Sequence, residues 1–257
     1  MTPPRFPLSR LVALALTGLL AGCGPGPSGT PAEAPAEVPA VPADAAPGTV
    51  LRAGFVALEK VFNSELMAPY DVLQHTVFRD PDNYIETFIV SPDGQPLTTF
   101  EGITIIPHYG FDDAPPIDIL VIPSTDNSMT ADLEDEAFLG WLRQAVARAQ
   151  WVITVCDGAF PLAATGALDG RSATTFPADR HRLAERFPAV DVRHDVRLVV
   201  DGKFITSVGG GMSYEPAFYL VERLYGPEHA ARTAEGLVWP WDLEAVPHLI
   251  VPGDPAP

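Results

Sequence analysis

Residues 151–170 read WVITVCDGAFPLAATGALDG. The run Trp151–Val155 is short, almost wholly apolar and rich in β-branched side chains, which is typical of a buried strand. Cys156 ends the run, Gly158 follows two residues later, and an alanine-rich stretch that favours a helix comes next. A strand that turns directly into a helix at a nucleophilic side chain has the layout of a nucleophile elbow. The segment therefore predicts an α/β fold with Cys156 at the end of a strand.

Strands and helices are predicted to alternate on both sides of this segment. The other predicted strands cover residues 50–58, 84–90, 117–123, 196–200 and 204–207, the last two joined by the turn Asp201-Gly202. The predicted helices cover residues 64–78, with Ser64 as N-cap, 133–149, 215–224 and 228–237. Apolar strands that alternate with helices indicate a parallel sheet covered on both faces. We therefore expect one α/β domain, a three-layer sandwich with a mostly parallel central sheet.

The composition narrows the class of protein. The 257 residues include 16 Lys and Arg against 33 Asp and Glu, for a formal net charge of −17. That charge argues against a nucleic-acid partner, because phosphate contacts need clustered basic side chains. The two cysteines, Cys23 and Cys156, do not make a disulfide framework, and no histidine, cysteine or acidic residues stand at metal-ligand spacing. We expect neither a metal nor another cofactor.

The first 22 residues have the pattern of a secretion signal. Arg5 and Arg10 give a positive start, and the apolar run 11–20 that follows is too short to span a bilayer, which needs around 20 residues. The sequence Leu20-Ala21-Gly22-Cys23 resembles the lipobox of bacterial lipoproteins, which implies that Cys23 is acylated and becomes the mature N-terminus. The alternatives are an ordinary signal peptide cleaved nearby or an uncleaved core helix.

These patterns divide the chain into a signal peptide (1–22), a tether (23–48), a folded domain (49–251) and a structureless tail (252–257). Prolines and alanines dominate the tether, which cannot bury a core and is expected to be a semi-rigid spacer. Acyl chains on Cys23 would anchor the protein in the bacterial envelope. Gly24 follows the cysteine where a retention signal would place Asp, so the resemblance favours the periplasmic face of the outer membrane in a Gram-negative cell.

The run VCDGAFPLAATGALDGRSATT, residues 155–175, is similar to the ThiJ/PfpI (DJ-one) superfamily, whose domain is flavodoxin-like and class I glutamine amidotransferase-like. The segments Glu65-Leu-Met-Ala-Pro69 and 111–121 also match the superfamily's pattern, and the resemblance extends over residues 50–237. It implies a reactive cysteine at Cys156 and an acidic partner at Glu65. Members are commonly dimers, so a second copy of the chain is a candidate partner. No dimer interface can be identified from the sequence.

Three residues are candidates for the chemistry. The helix after Cys156 is expected to lower the pKa of its thiol and favour the thiolate, although a lone cysteine is commonly a buried structural residue. Glu65 is expected to have a raised pKa and to exchange protons with the sulfur or a substrate; the alternative is a capping or surface carboxylate. Asp157 is either a second acid/base or a charge that stabilises the helix N-terminus.

The sequence departs from the superfamily's pattern where histidines and glycines are usual. Asp157 and Phe176 stand at positions that carry histidine in many members, so no Cys-His protease dyad is present. Ser124-Thr125 replaces the paired glycines whose amides form an oxyanion hole. Ser124, Thr125, Gly158 and Phe176 are predicted to line the substrate pocket.

Two classes of function fit this site. The first is an envelope-anchored, cysteine-dependent hydratase or hydrolase acting on a small electrophile, with isonitrile hydration the nearest chemistry that the resemblance implies. The second is a non-catalytic module that binds a small molecule, or senses oxidants or electrophiles through the thiol. Related domains are fused to DNA-binding regions, and no helix-turn-helix is expected after Leu237.

Overall fold

The structure of the protein is a computed structural model that describes residues 48–252, all within the unit Val41–Pro257. The predicted signal peptide, Cys23, the tether up to residue 47 and the tail from residue 253 lie outside the described residues. The described strands are β1 Leu51–Val56, β2 Ile85–Ser91, β3 Leu97–Thr98, β4 Thr104–Ile105, β5 Tyr109–Gly110, β6 Ile119–Ile122, β7 Trp151–Val155, β8 Ser172–Ala173, β9 Asp191–Val192, β10 Leu198–Asp201, β11 Phe204–Ser207 and β12 His248–Ile250.

One large sheet organises these strands in the order β12-β10-β11-β7-β6-β1-β2-β5. Every neighbouring pair is parallel except β10 and β11, which form the antiparallel hairpin predicted around Asp201-Gly202. The short strands pair outside the large sheet, β3 with β4 antiparallel and β8 with β9 parallel. The predicted mostly parallel sheet is confirmed.

Helices cover both faces of the sheet. The described α-helices are α1 Asn63–Gln74, α2 Glu136–Arg148, α3 Ala159–Ala164, α4 Arg180–Arg186, α5 Glu215–Tyr225 and α6 Pro227–Gly236. Side chains of α1, α5 and α6 pack on one face, where the strands contribute Phe55, Val121 and Ile153. Side chains of α2, α3 and α4 pack on the other, against Val56, Leu120 and Val152. Alternate strand residues enter opposite layers, so both faces of the central strands are buried and their sequences are continuously apolar.

Two predicted helix starts differ from the structure. Ser64 is not the N-cap of α1, because the helix begins at Asn63 after Phe62, which makes no side-chain cap. The carboxylate of Glu101 instead accepts the Asn63 N–H, with N···O distances of 3.1 and 3.3 Å. Helix α2 begins at Glu136 because the carboxylate of Asp135 accepts the Phe138 N–H at 3.0 Å.

The parallel strands bring four chain segments to one end of the sheet, where the carboxyl ends of the strands lie. Cys156 follows β7, Ser124 comes just after β6, and Gly209 comes just after β11. Helix α1, which follows β1 in the chain, contributes Glu65 from its first turn. The carboxyl ends of parallel strands are where open α/β sheets place their ligand sites.

Candidate active site

The turn at Cys156 is held in a strained backbone conformation. Cys156 has a φ of 56°, a left-handed value that is uncommon for a residue with a β-carbon. Close packing keeps it there. A β-carbon on Gly158 would collide with the carbonyl oxygen of Ile122, and one on Gly209, which has a φ of 74°, would collide with Cys156 itself. The predicted nucleophile elbow is therefore present in the structure, wedged between β6 and the loop after β11.

Glu65 lies against the sulfur of Cys156. Its side chain is 4% exposed, which rules out the surface-carboxylate alternative. The carboxylate lies close to the Cys156 thiol and to the Gly210 N–H. Ser124 donates its backbone N–H to Glu65 Oε2 at 3.2 Å and places its hydroxyl oxygen 2.5 Å from the same atom. Burial raises the pKa of Glu65, as predicted, and the hydrogen bonds from Ser124 and Cys156 offset part of that effect.

The prediction of a lowered thiol pKa is wrong in direction. Cys156 is 7% exposed, and this burial raises its pKa, with the charges of Glu65 and Asp157 adding to the effect. The helix that was expected to lower the pKa is the short α3, which spans only Ala159–Ala164. Three acidic groups thus compete for protons in one poorly solvated space, and their titrations are coupled.

Asp157 forms a second acidic group beside the elbow. Its side chain is 8% exposed and does not cap α3. The hydroxyl of Thr175 lies 2.8 Å from Asp157 Oδ1, and the Asp179 carboxyl is also nearby. Burial, followed by the charges of Asp179 and Glu65, raises the pKa of Asp157 to about 7, although the Thr175 bond opposes the change. Its carboxylate lies in the first helical turn after β7 without making a cap hydrogen bond, so both the acid/base interpretation and the charge interpretation of Asp157 stay predictions.

The two amides after β6 do not form an oxyanion hole. The Ser124 N–H is directed at Glu65, and the Thr125 N–H donates to the Ser128 hydroxyl at 2.8 Å. The Thr125 hydroxyl turns away from the sulfur and donates to Asp132 at 2.6 Å. Both donors that would stabilise a tetrahedral oxyanion therefore already have partners, one on α1 and one in the loop itself.

Comparison with known proteins agrees with this architecture, since residues 51–223 match the DJ-1/PfpI family. The chain belongs to the DJ-1/PfpI family. It is 32% identical over 180 residues to isonitrile hydratase of Pseudomonas putida, covering 70% of this chain and 75% of that protein. It is 26% identical over 150 residues to the HTH-type transcriptional regulator CdhR of Pseudomonas aeruginosa, covering 58% of this chain and 44% of the regulator. The crystal structure of a ThiJ/PfpI family protein from Pseudomonas syringae superposes with a TM-score of 0.67, at 22% identity over 84% of each chain.

In this DJ-1/PfpI chain the predicted pocket residues do not all face the sulfur. Ser124 does, whereas Thr125 is directed at Asp132 and Gly158 packs against β6. The ring of Phe176 is 42% exposed and lines an open cleft of about 450 Å³, which the loop Gly209–Gly211 also borders.

Three residues that contribute to the site are absent from the predicted set. Gly210 lies close to Glu65, Thr175 donates a hydrogen bond to Asp157, and Asp179 lies close to Asp157. The triple glycine at 209–211 is a usable signal, because such runs permit a close approach of backbone to a site. Within residues 48–252, no histidine is among the groups that shift the pKa of Cys156. In the same residues, no group of three histidine, cysteine or acidic side chains could hold a metal ion. None of the helices described is long and apolar enough to cross a membrane.

Proposed function

We propose that this DJ-1/PfpI-family protein hydrates isonitriles or closely related small electrophiles, with Cys156 as nucleophile and Glu65 as acid/base. The observation that supports this most directly is the buried Glu65 carboxylate, which the N–H and hydroxyl of Ser124 hold close to the Cys156 thiol. A thiol needs a base beside it to become a nucleophile, and in this pocket that base is a carboxylate. The similarity of this chain to an isonitrile hydratase of Pseudomonas putida also supports the proposal.

The proposed reaction proceeds in two stages. Glu65 takes the thiol proton, and the Cys156 sulfur bonds to the terminal carbon of the isonitrile. Glu65 then returns the proton to that carbon, which gives a thioimidate, Cys156–S–CH=N–R. In the second stage a water adds to the same carbon, the C–S bond breaks, and the nitrogen receives a proton. The product is the N-substituted formamide R–NH–CHO, and the thiol is restored with its proton.

Asp157 is proposed as the acid/base of the second stage. Its pKa of about 7 matches a group that exchanges protons near neutral pH, where general acid/base catalysis is most efficient. The water that attacks the thioimidate must lose one proton while the nitrogen gains one. Asp157 and Glu65 are held by different partners, Thr175 for Asp157 and Ser124 for Glu65.

The same geometry argues against acyl transfer. A Cys-His protease needs an imidazole beside the thiol and free amides for the oxyanion. The groups that act on the pKa of Cys156 are carboxyls and a hydroxyl, and the amides of Ser124 and Thr125 already have partners. Addition to an isonitrile carbon creates no carbonyl oxyanion in its first stage, so this site suits it better.

Turnover of a simple alkyl isonitrile by the full-length protein tests the proposal, with formamide measured by chromatography. Cys156→Ala should abolish formamide production, and Glu65→Gln should reduce it by roughly 10²–10⁴-fold, the contribution of a general acid/base. Glu136→Gln, which removes an exposed carboxylate on α2, is the matched control and should leave turnover unchanged. Wild-type protein that forms no formamide, or Cys156→Ala protein that still does, would refute the proposal.

A ligand-binding or thiol-sensing module is the second candidate, and the similarity to a helix-turn-helix regulator favours it. The two functions differ in stoichiometry, because a sensor consumes one electrophile or oxidant per thiol and then stops. Mass spectrometry would then find a stable adduct or a sulfenic or sulfinic acid on Cys156 with no product released.

We also propose that acylated Cys23 anchors the protein at the bacterial envelope, on the periplasmic face of the outer membrane in a Gram-negative cell. This rests on the lipobox-like sequence before Cys23. The proposed partners are a small molecule at Cys156, the membrane through the anchor, and a second copy of the chain. Light scattering of the purified protein distinguishes a dimer from a monomer.

A further inference from the structure

Ser124 lies next to both reacting groups of the site. Its side chain is 1% exposed, its Oγ lies 2.5 Å from Glu65 Oε2, and it is close enough to the Cys156 thiol to act on its pKa. A serine hydroxyl carries one proton to donate and two lone pairs to accept with. It can therefore donate to only one of the two groups at a time, and which one depends on where the negative charge lies.

We propose that Ser124 is a catalytic residue whose hydroxyl switches its hydrogen bond from Glu65 to the Cys156 sulfur as the thiol proton moves to Glu65. Before the transfer, Cys156 S–H and Ser124 O–H both donate to the Glu65 carboxylate. During it, the S–H bond breaks and an O–H bond forms on Glu65. Afterwards the Ser124 hydroxyl donates to the thiolate and can accept from the neutral Glu65. No atom is gained or lost. The inference rests on the proposed function in treating Cys156 as the nucleophile.

The surroundings make this donor important. The other ionisable groups facing the sulfur are acidic: Glu65 on α1, Asp157 on the elbow, and Asp179 behind Asp157. A buried thiolate beside carboxyls is costly unless a donor compensates for the lost water. Among the side chains that act on the thiol, Ser124 is the one whose hydrogen bond favours the thiolate. Removal of the hydroxyl should therefore disfavour the reactive form.

Ser124→Ala separates the hydroxyl from the rest of the loop. The backbone N–H that donates to Glu65 Oε2 at 3.2 Å is unchanged in this variant, so the carboxylate keeps its backbone donor. Ser207→Ala is the matched control. Ser207 is equally buried, and its hydroxyl donates to the Thr154 carbonyl at 3.0 Å, next to the strand end but not to the sulfur or Glu65.

The test is the rate of Cys156 alkylation by iodoacetamide in the full-length protein from pH 5 to 10, followed by mass spectrometry of the peptide that contains Cys156. Ser124→Ala should slow alkylation at pH 7 by roughly 10- to 100-fold, the strength of a hydrogen bond to a charged group, and move the profile to higher pH. Ser207→Ala should give the wild-type profile.

A Ser124→Ala profile that coincides with the wild-type profile would overturn the inference, as would an equal shift in Ser207→Ala. If circular dichroism shows that Ser124→Ala is unfolded, Ser124→Gly carries the same expectation, because glycine also lacks the hydroxyl and occupies less space. Alkylation does not depend on any substrate. A wild type that forms no formamide thus refutes the proposed reaction, while the alkylation profile decides the role of Ser124 separately.

Discussion

Asp157 should make the stability of the domain fall as the pH rises. Burial raises its pKa from the ordinary 3.8 to about 7, so between these values the folded protein holds a proton that the unfolded chain has lost. Folding stability is then fully present below about pH 4 and declines through the window up to about pH 7. At 1.36 kcal/mol for each pH unit, the interval is worth about 4 kcal/mol at most.

Asp157→Asn removes this titration and keeps an oxygen for the Thr175 hydroxyl, which lies 2.8 Å from the present carboxylate. At pH 4 the variant and the wild type should be about equally stable. At pH 8 the variant should be more stable by up to about 4 kcal/mol, or by roughly 8–16 °C in Tm for a domain of this size. The raised pKa of Asp132, which Asp157 does not influence, acts in both proteins and cancels in the difference.

Thermal unfolding followed by circular dichroism at pH 4, 5, 6, 7 and 8 measures this difference. Asp126→Asn, which removes an exposed carboxylate from the neighbouring loop, controls for the change in net charge. Parallel Tm curves for wild type and Asp157→Asn over this range would refute the reasoning. They would mean that Asp157 is ionised in the folded protein at pH 4 to 7, and the second acid/base of the proposed reaction would lose its support.

Three further perturbations follow from the packing and the sequence. Gly209→Ala should lower the Tm and the reactivity of Cys156, because the added β-carbon meets that residue at a left-handed φ; Gly211→Ala, which points into open space, should do neither. Phe160→Ala should lower the free energy of unfolding by about 3–5 kcal/mol, measured by chemical denaturation, because the ring is 1% exposed. An equally large loss of stability for Phe176→Ala, whose ring is 42% exposed, would contradict this assignment of core residues. Cys23→Ser should abolish acylation and release the protein from membranes in fractionation, and an acylated, membrane-bound variant would disprove the anchor.

The central strands were predictable because burial on both faces makes their sequences continuously apolar, and β7 occupies Trp151–Val155 as predicted. The short strands β5 and β12 at the sheet edges were not predicted, because two or three residues show no periodicity. The start of α1 was misplaced because its cap is a carboxylate from Glu101, a residue distant in the chain. Rules that use only neighbouring residues cannot predict a contact between residues so far apart in the sequence.

The candidate site, like the fold, was predictable only in part. Cys156 was identified from the strand-to-helix pattern and Glu65 from a resemblance, and the structure places them close together. The direction of the thiol pKa was wrong because the rule used was local, a helix N-terminus next to a cysteine, whereas burial and two carboxyls from tertiary structure dominate. The contact of Ser124 with both reacting groups depends on the packing of α1 against the end of β6, which the sequence does not encode locally.

The solitary position of Cys156 makes the folding reaction itself observable. Cys156 is the only cysteine in residues 48–252, and its low exposure depends on segments as far apart in the chain as Glu65 and Gly209. Before those segments pack around it, the sulfur is exposed in the unfolded chain and is accessible to a thiol-labelling reagent. Protection of this single atom therefore marks the late, long-range assembly of the sheet edge. Pulse labelling during refolding would time that step without any engineered probe.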